Sequence, residues 1–98
     1  MYIYVAHEYN GNAEVLERAK KITHDLQIFD RENTYLCPLT AYSHIGYDEY
    51  TNEEWVEMHK DLICICDKVL VASEIGESIK QELDFADKIH MEVDYLEI

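Results

Sequence analysis

The sequence predicts an α/β protein in which helices cover both faces of a small parallel sheet. Apolar, β-branched segments alternate with segments whose apolar residues recur at helical spacing, in the order βαβαβαβ. Only three Gly and one Pro occur in 98 residues, which leaves little room for long irregular loops. Hydrophobic residues make up 48% of the chain, enough for a core, and the length suits a single domain over residues 1–98.

The first part of the chain supplies two strands and a helix. Residues 2–6 are uncharged and rich in aromatic and β-branched side chains, which is typical of a strand buried on both faces of a parallel sheet. Asn12 is a candidate cap for a helix over 13–29, where apolar residues follow helical spacing. A short strand over 34–37 ends at Pro38, which cannot donate a hydrogen bond to a sheet.

The second part continues the alternation after a long loop. Residues 39–52 show no periodicity and contain four aromatic or imidazole side chains, Tyr42, His44, Tyr47 and Tyr50. Either Thr51 or Asn52 caps the next helix, which has a wide apolar face. The remaining elements are a buried strand over 69–72, a turn over 73–77, a helix capped by Ser78 that extends to about residue 90, and a last strand over 91–96.

These elements predict a flavodoxin-like or Rossmann-like three-layer sandwich of four parallel strands in the order 2-1-3-4. In such sheets, ligands bind beyond the carboxyl ends of the strands. The predicted site therefore lies among three loops, at residues 7–12, 39–52 and 73–78.

Charge and composition exclude several function classes. The formal net charge is −13, so the chain is not a non-specific nucleic-acid binder, and an anionic membrane surface is a poor partner. No apolar run approaches the roughly 20 residues of a membrane span. The first residues lack a signal-peptide pattern, and three cysteines cannot all pair, so we expect a cytoplasmic protein.

Glu82 is the most unusual residue of the predicted helices. It lies on the same helical face as the apolar Ile79 and Ala86, where a carboxylate is costly unless it has a partner or a function. Ser78, one turn earlier, lies on the same side. The alternative is that Glu82 only borders the apolar stripe and reaches water or a lysine.

A set of short motifs extends over nearly the whole chain. It comprises the runs 2–6, 37–38 and 66–71, together with Tyr9, Gly11, Gly76, Glu77, Ser78, Glu82, Ala86 and Val93. In these residues the chain resembles the nucleoside 2-deoxyribosyltransferase superfamily, above all its small and often phage-borne members. Members of this family break or exchange the N-glycosidic bonds of deoxynucleosides through a glutamate that attacks the anomeric carbon.

The resemblance implies roles for individual residues. It makes Glu82 the nucleophile, Tyr9 the tyrosine that orients it, and Ser78 a contact to the sugar or to a 5′-phosphate. Further candidates for ligand binding are Gly11, Pro38, Ser73, Gly76 and His7. His7 follows the first strand directly, where it either bonds the ligand or caps its own loop.

No metal or organic cofactor is expected. The resemblance implies none, and His44, Asp48 and Glu49 lack a second histidine at usable spacing. The family likeness does imply a homo-oligomer, a dimer or larger, in which a neighbouring subunit completes the pocket. The tyrosines of the loop over 39–52 fit either a nucleobase stack or such a subunit contact.

Three function classes stay open at this point, the third being a scaffold whose pocket is vestigial. The first is an N-glycosidic bond enzyme, transferase or hydrolase, that acts on a nucleoside or nucleotide. The second is a non-catalytic module that binds or sequesters a nucleotide-derived small molecule. Ala72-Ser73 stands where transferases of the family carry an aspartate, which favours the second class. Glu74 and Glu77 flank the helix start that would receive a phosphate, which favours a less charged ligand in either case.

Overall fold

The computed structural model describes residues 1–97. Within them, the chain forms β1 (Tyr2–Ala6), α1 (Ala13–Phe29), β2 (Thr34–Leu36), α2 (Pro38–Ala41), α3 (Asn52–Cys64), β3 (Lys68–Val71), α4 (Glu77–Lys88) and β4 (Glu92–Tyr95). A short 3₁₀ turn, Tyr47–Glu49, precedes α3. None of the helices in this described part has the length and apolarity needed to cross a membrane.

The four strands form one parallel sheet in the order β2-β1-β3-β4, and the predicted order is confirmed. The central strand β1 is paired on both sides; Tyr4 lies opposite Leu36 of β2 and Val69 of β3. Because all strands run in one direction, the segments that follow β1, β2 and β3 leave the sheet at a single edge.

Helices cover both faces of this sheet, so the predicted three-layer sandwich is confirmed. Tyr4 and Val69 belong to the core cluster that also contains Ile63 of α3. Val5, the next residue along β1, belongs to the opposite cluster with Ala19 of α1. This alternation follows from the two-residue period of a strand, and it puts Tyr4 on the side of α3 and α4.

Local structure departs from the prediction in the loop after β2. Residues 38–41 form the short helix α2, and Cys37 caps that helix instead of ending the strand. Pro38 suits the start of a helix because the first turn needs no N–H donor. Thr51, one of the two predicted caps, begins α3 by accepting from the Glu54 N–H, and the Glu54 carboxylate accepts from the Thr51 N–H.

The start of α4 also differs from the prediction. Ser78 does not cap the helix, because the helix already begins at Glu77, after Gly76. Gly76 caps it without a side chain, so the donors at this helix end depend on groups from elsewhere in the fold.

Replacement of Ile63 by alanine tests the core between the sheet and α3. The Ile63 side chain is fully buried, so Ile63→Ala should lower the free energy of unfolding by about 2–5 kcal/mol, as measured by urea denaturation. Ile65→Ala is the matched control, because Ile65 is 61% exposed and its loss should cost about 0.5 kcal/mol or less. Equal losses for the two variants would contradict this packing.

Candidate functional site

A cavity of about 440 Å³ opens at the edge of the sheet where the strands end. Its walls come from the segment after β1, from the loop between β2 and α3, and from α3 and the first turns of α4. This position agrees with the site expected from the three loops. The volume is in the range typical of small-molecule pockets.

Glu82 lies on the wall of this cavity as a buried carboxylate. Only 3% of the residue is exposed, so its predicted place on the core-facing side of α4 is confirmed. The Tyr4 hydroxyl donates a hydrogen bond to Glu82 Oε1. His59 Nδ1, on α3, is 3.3 Å from the same oxygen. Three elements, β1, α3 and α4, therefore meet at one carboxylate oxygen.

The second oxygen of Glu82, Oε2, has a different environment. It forms no hydrogen bond with the described residues. Every fully enclosed side-chain polar atom of those residues has a hydrogen-bond partner, so Oε2 is not fully enclosed. Glu82 itself lines the cavity, so its carboxylate lies where a ligand in the cavity would meet it.

The Tyr4 hydroxyl is held in its protonated form. Burial raises the pKa of Tyr4 well above its usual value, and the nearby negative charge of Glu82 raises it further. At neutral pH the phenol therefore stays a donor, and the buried carboxylate of Glu82 keeps a hydrogen-bond partner.

The hydrogen bond that the structure gives Glu82 comes from Tyr4 and not from Tyr9. Tyr9 does line the cavity, but its ring packs edge to face on Tyr47, with centroids 5.3 Å apart. The reason is strand geometry: Tyr4 projects from β1 towards α4, whereas Tyr9 follows the strand and packs with the α1 cluster. Sequence reasoning assigned Tyr4 to the buried strand without knowing which helix it faces.

Glu8 is the second carboxylate of the site, and sequence reasoning did not assign it a role. Its Oε2 accepts a hydrogen bond from the Gly76 N–H at 2.9 Å, and its Oε1 accepts from the Ser78 hydroxyl at 2.9 Å. Its own N–H donates to Ser73 Oγ at 2.8 Å. Its position could have indicated a role. Glu8 lies just after β1, and β1 is next to the strand that leads to α4.

The remaining predicted residues fall into two groups. His7 and Pro38 line the cavity, and the His7 Nδ1–H donates to the Glu8 carbonyl at 2.8 Å, so His7 does cap its own loop. Gly11, Ser73 and Gly76 belong to loops next to the cavity but are not among the residues that line it. Gly11 has a φ of +91°, and a Cβ there would lie 3.0 Å from the Tyr47 ring.

Aromatic rings form much of the rest of the wall. The Tyr42 and His59 rings are nearly parallel, at 9°, with centroids 6.4 Å apart, and Trp55 lies 6.2 Å from His59. The Trp55 indole N–H donates to the Tyr47 carbonyl at 3.1 Å, which holds the loop against α3. Trp55 and His59 belong to α3, the helix for which the sequence predicts a wide apolar face. Their role in the cavity appears only when the loop folds over that face.

The charge of the cavity is negative. Its described lining contains the carboxylates of Glu8, Glu77 and Glu82, and it contains neither lysine nor arginine. Glu74, expected near the opening, is exposed and lies outside the lining. Within residues 1–97, no three His, Cys, Asp or Glu side chains are grouped so that they could hold a metal ion.

Comparisons with protein-family models, with curated proteins and with solved structures find no match for this chain. Function therefore has to be inferred from the residues of the cavity and their geometry.

Replacement of Tyr4 by phenylalanine tests the buried pair. Native Tyr4 keeps its proton at pH values where the unfolded chain has lost it, since its pKa is raised above the usual 10.0. The unfolded state then binds fewer protons, so stability falls as the pH rises above about 10, by up to about 1.4 kcal/mol per pH unit. Tyr4→Phe should remove this part of the slope in urea denaturation at a series of alkaline pH values.

At neutral pH, Tyr4→Phe should lower the free energy of unfolding by about 1–3 kcal/mol, because Glu82 then lacks its phenol donor. Tyr2→Phe on the same strand is the control, because Tyr2 is half exposed. This variant should keep the wild-type free energy of unfolding at neutral pH and the wild-type slope at alkaline pH. If Tyr4→Phe kept the full alkaline slope, Tyr4 would not be the buried donor described above.

Proposed function

We propose that the chain is an N-glycosidic bond enzyme that acts on a nucleoside or nucleotide, with Glu82 as the nucleophile. The observation that supports this most is the asymmetry of the Glu82 carboxylate. One oxygen accepts from Tyr4, the other has no hydrogen bond to the described residues, and Glu82 lines an aromatic cavity. The resemblance to nucleoside 2-deoxyribosyltransferases implies the same role for this residue.

In the first step, Glu82 Oε2 attacks the anomeric carbon of the sugar. The bond from that carbon to the base nitrogen breaks, and the base leaves with the electron pair and takes a proton from solvent. Positive charge develops on the sugar during this step, and a nearby carboxylate stabilises it. Glu8 and Glu77 add to the negative potential of the same cavity.

In the second step, water or another base attacks the anomeric carbon of the glycosyl-enzyme. The ester bond to Oε2 breaks, the carboxylate is restored, and the nucleophile loses a proton to solvent. The Tyr4 hydroxyl donates to Oε1 of Glu82, so it orients the carboxylate for attack and stabilises its charge as it leaves. Tyr4 is therefore the orienting residue in this proposal.

The aromatic wall would hold the base. A nucleobase is flat and partly polar, and rings such as those of Tyr42 and Trp55 offer flat faces for stacking. His59 contacts this wall and also approaches Glu82 Oε1, so it connects base binding to the position of the nucleophile.

A binding module without chemistry is the second candidate, and the deep burial of Glu82 favours it. A carboxylate with 3% exposure is well placed to hold a hydroxyl of an intact ligand and poorly placed to exchange products quickly. The two candidates differ in one outcome, which is whether free base is released.

Replacement of Glu82 by glutamine tests the nucleophile. The purified protein is incubated with pooled nucleosides and nucleotides, and mass spectrometry then measures free base, retained ligand and any sugar bound covalently to the protein. The wild type should release base and form an adduct on Glu82. Glu82→Gln should lower base release by at least about 10³-fold and abolish the adduct, because the amide is a poor nucleophile.

Asp87→Asn is the matched control, an exposed acid on the same helix, and it should retain wild-type release. Retention of full activity by Glu82→Gln would overturn the assignment of the nucleophile. Retention of intact ligand by the wild type, with no base released, would select the binding module.

We also propose that the protein works as a cytoplasmic homo-oligomer. Tyr47, which lines the cavity, and Tyr50, in the same loop, are 39% and 38% exposed, which suits contact with a second copy. Sedimentation velocity should detect a dimer or a larger species, and Tyr50→Ser should shift the equilibrium towards monomer. A monomer at every concentration of the wild type would contradict this prediction.

A further inference from the structure

Glu8 occupies a position that ordinarily attracts an anion. The N-terminus of a helix presents free N–H groups and the positive end of the helix dipole, and phosphates bind there. At the start of α4, the Gly76 N–H and the Ser78 hydroxyl would be available to such an anion. In this chain both donate to the two oxygens of the Glu8 carboxylate.

The local backbone is built for this close approach. A Cβ on Gly76 would collide with Glu8 Oε2, so glycine is what lets the carboxylate reach the N–H. The Glu8 N–H donates to Ser73 Oγ, and the Ser73 hydroxyl donates to the Glu74 carbonyl at 3.0 Å. The turn that leads to α4 is therefore attached to the end of β1 at both the backbone and the side chain of Glu8.

The described cavity wall has no lysine or arginine that would balance the charge of a second anion. Glu8, Glu77 and Glu82 contribute three carboxylates to this wall. A ligand phosphate near α4 would meet the Glu8 carboxylate at close range, where like charges repel and solvent screens them only partly.

We propose that Glu8 is a specificity-determining residue, an internal carboxylate that takes the anion position at α4 and selects nucleosides over nucleoside 5′-monophosphates. This inference rests on the proposed function and narrows its substrate class. The site would then bind an uncharged sugar, whose 5′-hydroxyl can donate to a carboxylate where a phosphate cannot.

The test is a titration of the protein with inorganic phosphate, followed by calorimetry and by the NMR shift of the Gly76 amide. The wild type should bind phosphate only weakly, so that its shift stays far from saturation and sets a lower limit on its dissociation constant. Glu8→Ala removes the carboxylate and should bind phosphate about tenfold more tightly than the wild type, or better, as expected for one or two hydrogen bonds to a charged group. Glu8→Gln keeps the shape of the side chain and removes its charge, and its gain in phosphate affinity should be smaller.

Glu74→Gln is the matched control, because it removes one negative charge beside the same turn from an exposed residue outside the cavity lining. A similar gain for Glu74→Gln would mean that general charge governs phosphate binding, and would overturn the role of Glu8. No gain for either Glu8 variant would overturn it as well. If Glu8→Ala does not fold, Glu8→Gln against Glu74→Gln decides the question.

A second measurement compares kcat/KM for a deoxynucleoside and for its 5′-monophosphate. Glu8→Ala should shift this ratio towards the monophosphate by about tenfold relative to the wild type. The proposed function and the proposed role of Glu8 can each be overturned without the other. Phosphate binding by Glu8→Ala needs no turnover, so a wild type that cleaves no nucleoside would overturn the proposed function while the titration still decides the role of Glu8.

Discussion

The hydrogen bond between the Tyr4 hydroxyl and the Glu82 carboxylate is the interaction on which the rest of the site depends. A carboxylate with 3% exposure is costly to bury, and only a donor of matching position makes its charged form tolerable. That donor comes from the central strand, so the sheet must pair correctly and α4 must pack on the right face before the site exists. Both the stability of the fold and the proposed chemistry therefore depend on the hydrogen bond between Tyr4 and Glu82.

Two carboxylates of the cavity, those of Glu82 and Glu8, connect β1 with α4. Glu82 extends from α4 towards β1, and it lines the cavity together with the aromatic residues of α3 and of the loop before α3. Glu8 extends the other way, from the end of β1 to the start of α4, and accepts from the Gly76 N–H and the Ser78 hydroxyl there. The same two elements are therefore connected twice, by bonds in opposite directions. One bond positions the proposed nucleophile, and the other closes the place where an anion would bind.

Much of the fold could be predicted because it depends on local pattern. An uncharged β-branched run such as Tyr2–Ala6 suits only a buried strand, and helical spacing of apolar residues identified α1 and α3. Parallel connection through helices then limits the strand order to few possibilities. The loop after β2 was harder, since α2 has a single turn and no amphipathic period to detect. The start of α4 was misplaced because its cap partner, Glu8, is 68 residues away from Gly76.

The sequence by itself determined the α/β class, the edge of the sheet that carries the site, and the unusual place of Glu82 on an apolar face. These follow from periodicity and from the direction of parallel strands, which are properties of neighbouring residues. Only the tertiary structure decided that Tyr4 rather than Tyr9 contacts Glu82, that His59 joins them, and that Glu8 fills the start of α4. Those contacts join residues that are far apart in the chain, and they depend on which side of β1 each helix packs.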